Sequence, residues 1–224
     1  MKKYLITGAT GYLGKYIIEA CGSDNSITVG RNLSNNIVWD ITKPYEEASL
    51  QAKVIVHVAG QAHVYPKTEE EREKFFKVNT DGTNNLLNAI DTESVEQFIF
   101  VSTVSVYGVE NGIHIDEKHP LNATTPYGLS KLKAEQAIQK WGKENNVKIL
   151  ILRLPLIVGD IPPGNLGKMI SSIKKGRYLS VNNGKAKRSA VLASDVSDLI
   201  VKGRDFEGIY NLTDGLDPTF RDFE

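Results

Sequence analysis

Tyr127 and Lys131 stand four apart in the segment Pro126-Tyr127-Gly128-Leu129-Ser130-Lys131. Residues at that spacing share a helix face, so on a helix both side chains enter the same cleft. A free phenol, with a pKa of about 10, is a poor base at neutral pH. A neighbouring ammonium stabilises the phenolate and lowers that value, and a positively charged ring bound nearby does the same. So tuned, Tyr127 can move a proton to or from a hydroxyl or carbonyl oxygen. Ser102 and Thr103 close the apolar run Phe98-Ile99-Phe100-Val101. A hydroxyl at the carboxyl end of a parallel strand lies where such sheets bind ligands and can stabilise charge on a reacting oxygen.

The chain opens with Thr7-Gly8-Ala9-Thr10-Gly11-Tyr12-Leu13-Gly14. Three glycines between a strand and a helix give a tight turn, close backbone approach to a pyrophosphate and close packing of helix on strand. The helix N-terminus then offers amides and a positive dipole end to the phosphates. The spacing is Gly-x-x-Gly-x-x-Gly rather than Gly-x-Gly-x-x-Gly. The second strand ends in Val29-Gly30-Arg31-Asn32, where an NAD site usually places an acid for the ribose hydroxyls. Arg31 suits a 2′-phosphate, so NADP is favoured over NAD. Asp40 is open to two readings: a bond to the adenine amino group, or a turn aspartate capping the next segment. Lys131 would also hold the nicotinamide ribose.

The elements that must position these groups alternate. Strands are expected at Lys3–Thr7, Ser26–Gly30, Asn36–Trp39, Val54–Val58, Phe98–Ser102 and Lys148–Leu154. Helices are expected at Tyr12–Cys21, at Thr68–Ile90 with acids in its first turn, and at Pro126–Asn145 with proline in its first turn. Val-Ile-Val-His-Val lacks polar alternation, as befits a strand buried on both faces. The pattern predicts an α/β fold, a Rossmann-like doubly wound parallel sheet. Character changes near Gly159, before the loop signal Ile161-Pro162-Pro163-Gly164. Residues 1–160 read as the dinucleotide-binding domain. Residues 161–224 read as a small, shortened substrate lobe with some segments returning to the sheet.

The 224 residues are 41% hydrophobic and 24% charged, an ordinary globular balance. Lys+Arg and Asp+Glu are 27 each, so no global field recruits nucleic acid or a membrane surface. The single cysteine, Cys21, excludes a disulfide framework, and four scattered histidines suggest no metal set. No run approaches the length of a membrane span, and the expected location is cytoplasmic.

Five segments carry a resemblance: His57-Val58-Ala59-Gly60, Asn79-Thr80-Asp81-Gly82-Thr83, Val101-Ser102-Thr103-Val104-Ser105-Val106-Tyr107-Gly108, Tyr127–Lys131 and Leu152-Arg153-Leu154-Pro155. In this order the chain resembles the extended short-chain dehydrogenases/reductases of the nucleotide-sugar epimerase/dehydratase/reductase group. The resemblance implies a catalytic set of Thr103, Tyr127 and Lys131. It implies that Ala59 and Gly60 face the cofactor, that Asn79 supports the sheet and the water structure of the site, and that Pro155 lines the nicotinamide pocket. The expected cofactor set is Gly8, Thr10, Gly11, Tyr12, Leu13, Gly14, Arg31, Asp40, Ile41, Ala59, Gly60, Asn79, Val101, Tyr127, Lys131 and Pro155. Ser102 and Thr103 are expected at the substrate. Asn165 would contact the nucleotide side of the substrate, and Arg188 its diphosphate. The acid-free basic stretch from Gly167 to Arg188 suits a diphosphate and equally suits a solvated face.

Two departures narrow the resemblance. Leu156 stands where archetypal UDP-galactose 4-epimerases and dTDP-glucose dehydratases carry asparagine. Val104 follows Thr103 where the dehydratase branch expects acids, which sets dehydration aside. The run Arg-Leu-Pro-Leu-Ile-Val-Gly is closer to UDP-sugar epimerases and 4-keto reductases linked to quinovosamine and surface-polysaccharide synthesis. The implied activity is hydride transfer at C4 of a nucleotide-diphosphate sugar, by a 4-keto reductase or a 4-epimerase. The alternative is a non-catalytic NADP-binding sensor or interaction protein on the same fold. The motif around Tyr210–Gly215 precedes a further helical portion of the lobe in the family, which leaves a truncation or a minimal cap. Leu132, Ala134, Ala137 and Ile138 suit a helix-packed homodimer and equally suit packing on the sheet.

Overall fold

The structure, a computed structural model, describes residues 2–178, 181–203 and 205–223. The strands are β1 Tyr4–Thr7, β2 Ser26–Gly30, β3 Ile37–Val38, β4 Val54–His57, β5 Gln97–Thr103, β6 Lys148–Leu154, β7 Leu156–Val158, β8 Ala190–Leu192 and β9 Gly208–Asn211. The helices are α1 Tyr12–Cys21, α2 Glu69–Phe76, α3 Gly82–Ala89, α4 Pro126–Asn145, α5 Gly164–Lys174 and α6 Ala193–Lys202. Seven strands form one parallel sheet in the order β3-β2-β1-β4-β5-β6-β9, and β7 pairs with β8 separately. The fold is therefore an α/β, Rossmann-like, doubly wound sheet. Strand order reverses between β1 and β4, so a crevice opens at their carboxyl ends, the usual ligand site of such sheets.

Burial follows from that topology. Every residue of β1, β4 and β5 is buried, because helices cover both faces. Alternate side chains feed two core layers. Leu5, Ile55, Phe98, Phe100, Leu86 and Ile138 fill one; Ile6, Val56, Ile99, Ile17 and Ile200 fill the other. Cys21 lies in the second layer, and burial pushes its thiol up to about 11 against the pull of Lys3. α6 packs on α1, and β9 returns to the main sheet beside β6 with Asn211 opposite Arg153.

α4 starts where Thr125 Oγ1 accepts from the Gly128 amide (3.1 Å) with proline in the first turn, and it ends at Asn146 in left-handed backbone, φ 55°. Ala134 and Ile138 are fully buried against the sheet, and Leu132 and Ala137 are half-buried. Of these four positions, Ala134, Ile138 and Ala137 thus pack on the core. No described helix is long and apolar enough to cross a membrane.

Two elements differ from expectation. The helix expected over 68–90 opens with a capping box at Thr68 and Glu71, then divides into α2 and α3 across one wider π turn, Lys77–Asp81. Such turns concentrate at functional positions, and this one carries Asn79 inward, 1% exposed. The strand expected at Asn36–Trp39 shortens to two residues, because Asn36 Oδ1 instead accepts from the Thr28 amide at 2.9 Å.

Candidate active site

The glycine turn is a cradle that side chains would fill. Gly8 has φ +71°, and a Cβ there would lie 2.6 Å from the Ala59 nitrogen. A Cβ on Gly14 would collide with the Gly8 carbonyl. No side chain caps α1 at Gly11, which leaves first-turn amides and the helix dipole for an anion. Thr10 and Gly11 are exposed at the rim. These residues fit a dinucleotide pyrophosphate. Two expected cofactor residues turn their side chains elsewhere. Leu13 is buried in the core, and a Cβ on Gly159 would lie 2.7 Å from the hydroxyls of both Tyr12 and Tyr16. Burial first, then Tyr16 and Asp160, pushes the Tyr12 phenol up to about 12. Only the backbone of Tyr12 and Leu13 remains for the turn.

At the ends of β2 and β3, Arg31 is exposed. Asp40 Oδ1 accepts from the Thr42 amide at 3.1 Å and its hydroxyl at 2.9 Å, so Asp40 caps a turn. Burial, the largest influence, raises its carboxyl; the two Thr42 bonds, with Arg31 and Lys43, outweigh it and hold the carboxyl below the ordinary range. Ile41 is buried against Gly82, and its carbonyl accepts from Asn85 Nδ2 at 2.8 Å. Its side chain is core rather than cofactor contact.

Thr103 and Tyr127 meet. Thr103 closes β5, its hydroxyl accepts from the Ser105 amide at 3.2 Å to start a 3₁₀ turn, and it is hydrogen-bonded to the Tyr127 phenol. Tyr127 sits in the first turn of α4, half-buried, its ring centroid 6.2 Å from that of Phe75. Burial raises the phenol above its ordinary value, and the Thr103 bond opposes that rise only in part. The lowering expected from Lys131 is thus not produced within the chain. One turn on, Lys131 is 4% exposed, with Nζ 3.8 Å from the Phe100 centroid, and burial lowers it to about 7 against the pull of Glu135.

Asn79 ties the loop after β4 to α4. Its Oδ1 accepts from the Gln61 amide at 2.7 Å, and its Nδ2 donates to the Gln61 carbonyl at 3.1 Å and to Ser130 Oγ at 2.9 Å. Ser130 Oγ in turn donates to the Tyr127 carbonyl at 2.8 Å. A Cβ on Gly60 would lie 3.1 Å from Asn79 Oδ1 and 4.0 Å from Lys131 Nζ, so Ala59 and Gly60 border the lysine as well as the glycine turn.

Ser102 departs from its expected role at the substrate. It is 3% exposed, and its hydroxyl donates to Glu135. Glu135 is fully buried and pairs with Arg153 Nη2 at 2.7 Å; Arg153 Nη1 donates to the Tyr107 hydroxyl at 2.9 Å, which donates to Asn211 Oδ1 at 2.7 Å. This network brackets Thr103 through Ser102 and Tyr107 and lies one helical turn from Lys131. The sequence reading missed Glu135, Tyr107 and Asn211. The available signal was a charge inside the apolar strand Lys-Ile-Leu-Ile-Leu-Arg-Leu and a glutamate four residues after Lys131.

The remaining expected residues spread around the rim. Val101 is buried in the α1-side core layer, and Pro155 is half-buried just past β6. Asn165, in the first turn of α5, is exposed and donates to the Tyr65 hydroxyl at 3.4 Å. Arg188 is exposed before β8, its amide held by the Pro218 carbonyl at 2.9 Å. The basic residues from Lys168 to Arg188 are all exposed. Among the described residues no His/Cys/Asp/Glu group is placed to hold a metal.

The chain is similar to proteins of known activity. The chain is 28% identical over 204 residues to an N-acetyl-α-D-glucosaminyl-diphospho-ditrans,octacis-undecaprenol 4-epimerase of Escherichia coli O157:H7, covering 88% of this chain and 61% of that protein. It is 27% identical over 215 residues to a UDP-glucose 4-epimerase of Vibrio cholerae, covering 89% of this chain and 66% of that protein. The chain therefore spans somewhat under two thirds of the length of these curated relatives. The solved UDP-glucose 4-epimerase of Thermus thermophilus, in complex with NAD, shares the fold with a TM-score of 0.81 and 23% identity, over 99% of this chain and 80% of that one. The model of the NAD dependent epimerase/dehydratase family matches residues 4–211. That match runs from the first strand of the main sheet to its last, and the chain belongs to the NAD dependent epimerase/dehydratase family.

Proposed function

We propose that this chain binds a nicotinamide dinucleotide, NADP in preference to NAD, and acts at C4 of a nucleotide-diphosphate sugar as a 4-keto reductase or 4-epimerase. The observation that carries the reading is the Thr103–Tyr127 contact, with Lys131 one turn on, beside a glycine cradle that fits a pyrophosphate. When bound, the nicotinamide supplies the hydride donor or acceptor. The chain handles the proton. Tyr127 Oη gives it to the C4 oxygen on reduction and takes it on oxidation. A phenol raised by burial holds its proton at neutral pH, which suits the reducing direction. Thr103 orients the phenol and shares its hydroxyl with the C4 oxygen, and Lys131 lies close enough to the loop at Gly60 to hold a ribose. Arg188 and Asn165 are the proposed contacts to the diphosphate and the nucleotide, with residues 161–224 as the substrate side. The undecaprenyl-diphosphate sugar in the name of the Escherichia coli relative supports a place in surface-polysaccharide synthesis.

Two measurements test this. Incubation with a panel of UDP-hexoses and UDP-4-keto sugars plus NADPH should yield a product changed only at C4. Dinucleotide binding with no conversion of any sugar would favour a non-catalytic binding module. For the cofactor, Arg31→Asp should shift the NADPH/NADH affinity ratio towards NADH by at least about tenfold, the size expected for one lost charge-assisted phosphate contact. An unchanged ratio would contradict the 2′-phosphate role, and NAD, the cofactor in the Thermus complex, would take its place.

A further inference from the structure

His57 is completely buried in β4 and takes no part in the proton transfer described above. Its hydrogen bonds have a direction that donor counting fixes. Thr7 Oγ1 accepts from the amides of Val58 and Ala59, each at 3.2 Å, which uses both lone pairs. The Thr7 hydroxyl hydrogen therefore goes to His57 Nδ1, 2.6 Å away. Thr83 Oγ1 donates to the Asn79 carbonyl at 2.6 Å, so it accepts from His57 Nε2–H at 2.9 Å. The chain of donors runs Thr7, His57, Thr83, Asn79. It continues through the Asn79 amide to Ser130 and from Ser130 to the Tyr127 carbonyl.

Its two ends are the two halves of the site. Ala59, held by Thr7, is the residue that a Cβ on Gly8 would strike. Asn79 lies in the π turn and grips α4 one residue before Lys131. The imidazole also stacks on Phe100, centroids 5.4 Å apart, and Nζ of Lys131 lies 3.8 Å from the centroid of that same ring.

We infer that His57, neutral with its hydrogen on Nε2, is a positioning residue that sets the register between the glycine turn and the Tyr127–Lys131 helix. An imidazolium would present Nδ1–H to a Thr7 oxygen whose lone pairs are already filled. The groups facing the ring are Thr7 from β1, Thr83 from α3, Phe98 and Phe100 from β5, and the Lys131 ammonium from α4. None offers a negative charge. Burial first, then Lys131, lowers the imidazole to about 3. The catalytic half of this inference rests on the reading of Tyr127 and Lys131 as the reacting pair; the tautomer does not.

The test has two arms. Long-range ¹H–¹⁵N NMR of the wild-type chain should show His57 as the Nε2–H tautomer at both pH 7 and pH 5, below the ordinary histidine midpoint of about 6.5. An Nδ1–H pattern, or titration across that range, overturns the inference whatever the chain does to sugars. In the second arm, Thr83→Val keeps the volume but breaks the donor chain, and Thr83→Ser keeps it. Thr83→Val should leave the His57 Nε2–H without its acceptor, moving its ¹H and ¹⁵N resonances while the tautomer holds, and weaken NADPH binding by roughly tenfold or more. Thr83→Ser should match wild type in both. Equal behaviour of the two variants, with or without loss, means Thr83 acts through packing alone and overturns the positioning role.

Discussion

Tyr127→Phe should lower turnover of the sugar substrate by about 10²–10⁴-fold, the usual contribution of a positioned proton carrier. NADPH binding and the unfolding transition should stay as in wild type. The ring keeps its place beside Phe75, and the helix start is set by Thr125 and Pro126 rather than by the phenol. What is lost is the hydroxyl that meets Thr103. Thr103 is not orphaned, because it retains Ser105 as a partner. Steady-state turnover with paired NADPH titrations checks the expectation. Near-full turnover in Tyr127→Phe would remove Tyr127 from the chemistry, and a parallel loss of NADPH affinity would make it a binding residue instead.

Glu135→Ala should cost about 3–5 kcal/mol of folding stability, the penalty for leaving one partner of a buried ion pair alone. Arg153 is 1% exposed and faces Glu135 through Nε and Nη2, so its charge would remain without a counter-ion in the core. The Ser102 hydroxyl would lose its acceptor as well. The double variant Glu135→Leu with Arg153→Met removes both charges at similar volume and should recover most of that loss. Urea unfolding of the two variants checks this, and a cost below about 1 kcal/mol for Glu135→Ala would show that water reaches the pair. The recovered double variant should still turn over poorly, since Glu135 supports the charge of Lys131 one turn away.

Much of this arrangement was legible from residue order. The buried runs of β1, β4 and β5 and the periodicity of α1 and α4 reach the structure within a residue or two, because apolar strands buried on both faces and helices with one apolar face leave strong local marks. Gly8, just past β1, and Thr103, closing β5, lie at the carboxyl ends of strands in one parallel sheet, and Thr103 meets Tyr127 from the first turn of α4. What stayed illegible depends on contacts distant in sequence. The π turn at Lys77–Asp81 has no composition signature, and Asn79 faces inward through it. Ser102 lies beside Thr103 in sequence yet serves Glu135, since which hydroxyl faces the cleft depends on where β5 gives way to the 3₁₀ turn. His57 stood among four scattered histidines, and only its pairing with Thr7 and Thr83 from other elements distinguishes it. The balance of burial and charge at Tyr127 and Lys131 was likewise invisible, because desolvation depends on the packing of Phe75 and Phe100 around them.

Calorimetric titration of the purified chain with NADPH and NADH, each with and without a UDP-hexose panel, tests the central claim most directly. The account predicts NADPH binding tighter than NADH, strengthened by one UDP-sugar through the shared cleft at Thr103 and Tyr127. Dinucleotide binding that no UDP-sugar alters would contradict a nucleotide-sugar site in this chain, and no dinucleotide binding at all would contradict the reading of the Gly8–Gly14 turn itself.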